Sequence, residues 1–358
     1  MALFEVKKLD REIYQNELEN FLPDRMIDIH THVWLSHLRC RTKPIQRKVI
    51  WPSLVAKDNS LEDLQETYRL MFPGKEVTPL IFASTERETI QACNEYVREA
   101  AKKSGFPALY YARPEQTAAE LEREILGNGY VGIKSYLDLA PMYIPEAEVR
   151  IFDFFPKHQL QLLNRLGAIV MLHIPRNGRL RDPLNLAQII ELKQEFPNVR
   201  VIIAHIGRAY TRGDVGNAFE VLSACPDLMF DFSANSLEFA MTELLKARGP
   251  KQVLFGSDLP ILRMRTRRIE ENNTYINLVP PGLYGDSSQD PHLREVSEEE
   301  AEKLTFFMYE ELLAFKRAAS AVGLTRSDIE DVFYNNAKRM LDGAKKDILT
   351  AKHSQERI

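Results

Sequence analysis

Met26-Ile27-Asp28-Ile29-His30-Thr31-His32-Val33-Trp34 reads as a short apolar strand that ends in a polar cluster. Residues i and i+2 of a strand face the same way, so His30 and His32 would present two imidazoles side by side, roughly 7 Å apart. Two neutral imidazoles at that spacing can share a divalent metal ion. The pair could equally pack inside a core, because His-x-His alone is a short motif. Met26, Ile27 and Ile29 mark a buried strand feeding the pair into a pocket. The polar residues at the ends of later strands decide between the two.

The 358 residues suit one α/β barrel with an insertion. Hydrophobic residues make up 44%, enough for a large core. A net charge of −4 argues against a general nucleic-acid binder. Cys40, Cys93 and Cys225 are scattered, with no C-x-x-C spacing, which points to a reduced, cytoplasmic setting. The N-terminus lacks the apolar core of a signal peptide, and no apolar run approaches the roughly 20 residues of a membrane span. The expectation is a soluble chain with no membrane or nucleic-acid partner, free to form a homo-oligomer.

A segment over 1–24 reads as a helical lead-in, and residues 343–358 as a charged tail that frays. Between them, over 25–342, strands and helices alternate. Strand-like runs fall at Met26–Ile29, Val77–Ala83, Ala108–Ala112, Tyr130–Lys134, Ala168–Leu172, Val199–Ala204, Leu228–Phe232 and Gln252–Phe255. Amphipathic segments such as Arg87–Lys103, Glu115–Leu126 and Pro183–Phe196 separate most of them. Eight apolar strands alternating with helices predict a single (β/α)8 TIM barrel with a parallel sheet. Residues 261–296 read as a long irregular loop after strand 8, expected over the barrel mouth or at a subunit contact, with helices at Ser297–Val322 and Arg326–Leu341. Gly127-Asn128-Gly129-Tyr130-Val131-Gly132 matches G-x-G-x-x-G literally, but it precedes a strand and opens no helix, so it is a connecting loop.

Active sites of such barrels lie at the C-terminal ends of the strands. The first strand ends in His30 and His32, the fourth in Lys134. His173 comes directly after the fifth strand, His205 after the sixth and Asp258 after the eighth. Histidines and a carboxylate gathered at strand ends can bind a divalent ion, leave a position for water and lower the pKa of that water toward about 7. A nearby His or carboxylate then handles protons.

The motif set resembles the amidohydrolase superfamily, specifically the amidohydrolase-related family that includes aminocarboxymuconate semialdehyde decarboxylase, resorcylate-type decarboxylases and several lactonases. The resemblance rests on Ile27-Asp28-Ile29-His30-Thr31-His32, Gly132-Ile133-Lys134, Met171-Leu172-His173, Ile203-Ala204-His205-Ile206-Gly207 and Leu254-Phe255-Gly256-Ser257-Asp258-Leu259-Pro260. It implies His30, His32, His173 and Asp258 as metal ligands. It implies His205 as a base or polariser of substrate, or as a ligand to a second metal, with Asp258 sharing the acid–base work. It further implies one divalent ion: zinc first, with manganese, iron or magnesium as alternatives. Lys134 sits where some relatives carry a carboxylated, metal-bridging lysine; here it is read as a partner for a substrate anion. Two stretches depart from the family pattern, Ser135-Tyr136-Leu137-Asp138 and Ile206-Gly207-Arg208, and both belong to substrate loops.

Arginines crowd the segments after strands: Arg39 and Arg41; Arg176, Arg179 and Arg181; Arg208 and Arg212; Arg263, Arg265, Arg267 and Arg268. Arg suits bidentate binding of carboxylate or phosphate. A small anionic substrate is therefore expected, held by Lys134, Arg176, Arg208 and Arg263. Three readings result: a metal-dependent hydrolase of a small carboxylated amide, ester or lactone using metal-activated water; a metal-dependent non-oxidative decarboxylase of a small aromatic or dienoic acid using the same site; or a barrel that has lost catalysis and only binds. The complete ligand set argues against the last.

Overall fold

The structure, a computed structural model, describes residues 3–38, 52–84, 87–286, 288 and 290–355. All eight expected strands are present: β1 (Arg25–His32), β2 (Glu76–Phe82), β3 (Tyr110–Tyr111), β4 (Gly132–Lys134), β5 (Ile169–Leu172), β6 (Arg200–Ile203), β7 (Met229–Asp231) and β8 (Val253–Leu254). β1 pairs with β2, and β3 through β8 pair in chain order, all parallel. Backbone hydrogen bonds bridge the two remaining seams. Between β2 and β3, the Ile81 N–H donates to Pro107 O and the Leu109 N–H donates to Ile81 O, both at 3.0 Å. Between β8 and β1, Ile29 N–H reaches Phe255 O at 3.0 Å, and Asp258 N–H reaches His30 O at 2.7 Å. The fold is a (β/α)8 TIM barrel.

Helices cover the outside. Ala118–Asn128 shows why they form where they do: Thr117 and Glu120 make a capping box at its start, and Gly129 ends it in the left-handed conformation at φ 75°. That ending leads straight into β4, which confirms the glycine-rich stretch as a helix-to-strand connection.

Inside the ring lies a separate apolar layer built by alternate strand residues, among them Ile27, Ile29, Leu80, Phe82, Ile169, Met171, Ile202 and Leu254. Ala337, Leu341 and Ala344 join it from the last helix, Asn336–Gln355. This corrects the expectation of a frayed tail from 343. Leu341, Ala344 and Ile348 repeat at helical spacing and are buried, so the apolar stripe carries the helix onward despite the charged residues on its other face.

The segment after β8 also differs from the irregular loop expected. It holds β9 (Arg267–Glu271), β10 (Thr274–Val279) and β11 (Leu293–Glu295), in the order β11-β10-β9. Asn272 and Asn273, at φ 49° and 59°, form the two-residue turn between β9 and β10. The small sheet packs on the C-terminal end of the barrel. Arg268 Nη1 donates to Ala234 O just past β7, and Arg212 N–H, past β6, donates to Glu270. Arg39 and Arg41 lie outside the described residues. No helix among the described residues is long and apolar enough to cross a membrane.

Candidate metal centre

β1 aims its histidines through an irregularity. Its register runs from Arg25 opposite Glu76 to Asp28 opposite Pro79, then resumes with Thr31 opposite Ile81. β1 therefore carries one residue more than β2 over that interval, a bulge. Ile27 and Ile29 face the interior below it. The extra residue resets the alternation, so His30 and His32 continue on the inner side. Asp28 faces outward and braces the bulge, accepting from His30 N–H at 3.2 Å, Ser257 N–H at 2.9 Å and the Tyr68 hydroxyl at 2.8 Å.

His173 extends β5 in phase with Met171. His205 succeeds β6 at a left-handed turn in which His205, Ile206, Gly207 and Arg208 have φ of 58°, 50°, 60° and 61°. Each non-glycine residue there costs roughly 1–2 kcal/mol, so its surroundings must impose the shape. Asp231 accepts from His205 N–H at 2.9 Å, and a Cβ on Gly207 would meet Leu180 Cδ1 at 2.6 Å. Asp258 is also left-handed, at φ 52°. Two residues before it, Gly256 leaves room for His30, whose Cβ would lie 3.0 Å from a Cβ at that position.

The ligand atoms of His30, His205 and Asp258 all lie within 4.8 Å of one another. His32 Nε2 is 3.3 Å and His30 Nε2 3.5 Å from Asp258 Oδ1. The His173 ring centroid is 5.3 Å from that of His205. The tightest trio thus contains His205 in place of His32 and His173, and the geometry draws no line between metal ligand and proton carrier at His205.

The outward ring nitrogens explain the inward ones. His32 Nδ1 lies 2.8 Å from Ala83 O, and His205 Nδ1 2.9 Å from Ser233 O. A carbonyl only accepts, so both Nδ1 atoms carry the proton and both Nε2 atoms offer lone pairs. His30 Nδ1 is 3.0 Å from Asp231 Oδ2, with the same consequence. His173 Nδ1 is buried without a hydrogen-bond partner among the described residues. This donor set fits a divalent ion: imidazole lone pairs and a carboxylate converge, and the far sides of His30, His32 and His205 are held by acceptors.

Electrostatics keep the set ready. Burial holds His30, His173 and His205 below their ordinary values, so they are neutral. Burial works against a charged Asp258, but the His32 hydrogen bond and the surrounding imidazoles prevail and bring it to about 2. Lys134 lies at the floor, its Nζ 3.5 Å from His30 Nε2, and burial lowers it to about 8 against the pull of Asp258 and Asp231.

Two of the arginines expected to face substrate are engaged elsewhere. Arg176 pairs with Asp182 at 3.1 Å, and buried Arg263 bonds to Asn59 beneath Phe4. Arg208 stays near the histidines, and its charge is the strongest acting on His173 after burial. Reading strand ends missed Asp231 and Ser233. Asp231 closes the apolar run Leu228-Met229-Phe230, so the rule that found Asp258 would have found it on β7. Ser233 Oγ links Asp231 with His205 Nδ1 at 2.9 Å and His30 Nδ1 at 3.3 Å.

A family model described as amidohydrolase matches residues 27–343. An amidohydrolase from Burkholderia multivorans with bound zinc superposes at a TM-score of 0.56 with 15% identity, over 88% of this chain and 99% of that one. 4-Oxalomesaconate hydratase from Rhodopseudomonas palustris gives 0.53 and 18%, over 92% and 99%. A dihydroxybenzoic acid decarboxylase from Polaromonas sp. JS666, with bound manganese and 2-nitroresorcinol, gives 0.53 and 15%, over 89% and 97%. Identities this low speak for the fold alone. No curated protein matches the chain.

Proposed function

The chain belongs to the amidohydrolase family, matched from residue 27 to 343, and on that premise we propose that it is a metal-dependent hydrolase of a small carboxylated amide, ester or lactone. The observation that carries the reading is the convergence of His30, His205 and Asp258 within 4.8 Å, with the far nitrogens of both imidazoles already hydrogen-bonded. A divalent ion, zinc or manganese, would be held by His30 and Asp258 together with ligands drawn from His32, His173 and His205; it would supply Lewis acidity toward an acyl oxygen and acidify water. The residues do the rest. His205 offers Nε2 to receive a proton while Ser233 holds Nδ1. Asp258, ionised at neutral pH, stabilises the imidazolium so formed. Lys134 places a positive charge beside His30, where negative charge develops on an acyl oxygen.

The test is turnover by protein loaded with one equivalent of zinc or manganese, against a panel of carboxylated lactones, amides and esters. Release of a new acid supports the reading. Release of carbon dioxide from aromatic or dienoic acids without hydrolysis of the panel would move the assignment to a decarboxylase, with His205 protonating carbon. His205→Asn should keep the metal and lose roughly a hundredfold in kcat, the scale of a missing acid–base group. Loss of half or more of the metal would make His205 a ligand.

A further inference from the structure

The positive charges around the mouth sort themselves by partner. Arg179 pairs with Asp214 at 2.7 Å, and Arg265 with Asp10 at 2.7 Å. Arg268 is boxed by the rings of Tyr210, Tyr275 and Phe307 at 4.5–4.6 Å. Arg208 differs. Its Nη1 is tethered to the carbonyl oxygens of Ile174, Pro175 and Arg176 at 3.0–3.4 Å. Among the described residues no carboxylate pairs with it, and its Nε and Nη2 have no protein acceptor.

The surroundings of Arg208 are built. It ends the left-handed turn that begins at His205, so the same backbone shape places both side chains. Tyr136 packs its ring 4.6 Å from His173. Tyr210 is fixed from behind by Arg268 and by Tyr275, whose ring is 5.0 Å away. Both phenols and Arg208 are only half-buried, and neither hydroxyl has a hydrogen-bond partner among the described residues. Burial raises both phenols, and the positive charge of Arg208 acts on each of them in the opposite direction.

We propose that Arg208, with the hydroxyls of Tyr136 and Tyr210, forms an anchoring site for a substrate carboxylate beside His173, apart from the His30–His205–Asp258 cluster where reaction occurs. Given the hydrolase reading for the reacting group, on which this rests, the substrate class narrows: the carboxylate is a handle, a few bonds removed from the acyl group that is opened. A guanidinium with two free donor nitrogens, flanked by two phenols, suits a planar carboxylate.

Calorimetric titration with succinate and benzoate, each against its neutral amide, tests this on zinc-loaded and metal-free protein. The acids should bind more tightly than the amides in both forms. Arg208→Gln should lose at least about tenfold for the acids, the usual loss on removing a charged hydrogen-bond partner, and nothing for the amides. Arg208→Lys should recover part of the loss. Tyr210→Phe, which keeps the ring packing, should weaken the acids severalfold, and it decides the matter if Arg208→Gln fails to fold. Binding that requires zinc, affinity that ignores both Arg208→Gln and Tyr210→Phe, or no binding of either acid would overturn the proposal. No turnover enters the measurement, so failure of the hydrolase reading would leave its outcome intact.

Discussion

Asp231 meets His30 through Oδ2 at 3.0 Å and the His205 backbone through Oδ1 at 2.9 Å, so one carboxylate aims two imidazoles. Asp231→Asn keeps the size but removes the charged acceptor and can turn an N–H toward the ring. Its affinity for zinc should fall about ten- to hundredfold, measured by competition with a chelator. An unchanged affinity would mean that Ser233 alone orients His30. At this scale the sequence is informative about the groups that end strands, because position along a strand predicts position in the barrel. It is silent on which charges cancel. Arg265 and Asp10 are 255 positions apart, and nothing local in either stretch announces the pair. Arg176 meets Asp182 only six positions on, and Arg263 bonds to the neutral Asn59, while Arg208 stays beside the histidines.

The elements place these residues by close approach. β8 passes so near β1 that a methyl at position 256 would sit 3.0 Å from His30 Cβ and 3.4 Å from Asp231 Cβ. Gly256→Ala should therefore cost roughly 1–3 kcal/mol by overpacking and weaken metal binding along with it. Full stability and full metal affinity would show that β1 can shift freely. The helix Phe307–Ala321 buries Glu311 completely, and Asn235 N–H donates to it at 3.3 Å. Burial holds that carboxyl well above its ordinary value. The folded chain therefore keeps a proton that the unfolded chain loses near pH 4.5, and this group's contribution to stability falls as pH rises through that window. Glu311→Gln should match the parent at pH 4 and be more stable at pH 8, by about 1.4 kcal/mol for each pH unit of the window crossed. Equal urea midpoints at both pH values would contradict it. The β9–β10 hairpin was legible too. Asn272-Asn273 between two β-rich runs is a turn signal, but the arginines around it invite a reading by charge instead of by turn chemistry.

For the whole molecule, the eight-strand order could be read because buried parallel strands form continuous apolar runs. How the barrel is plugged could not, since the last helix hides its stripe among lysines and aspartates. That stripe enters the ring from below through Ala337, Leu341 and Ala344, and Ile348 is buried just beyond. Ending the chain after Gly343 should cost about 2–3 kcal/mol from Ile348 alone and lower Tm by several degrees. A truncated chain with an unchanged Tm would show that the helix merely rests on the barrel.

The extra residue in β1 also governs traffic. Because it lets Ile29 and His30 both point inward in succession, the imidazole, with Lys134 beside it, stands directly above the hydrocarbon interior. Both side chains are fully shielded from solvent. Among the described residues, the interior beneath the site is lined by apolar side chains, which oppose the passage of water, protons and ions. Exchange with the outside is thereby directed to the C-terminal end of the barrel, where Arg208 and the small sheet stand, so substitutions there should alter both what enters and how quickly it departs.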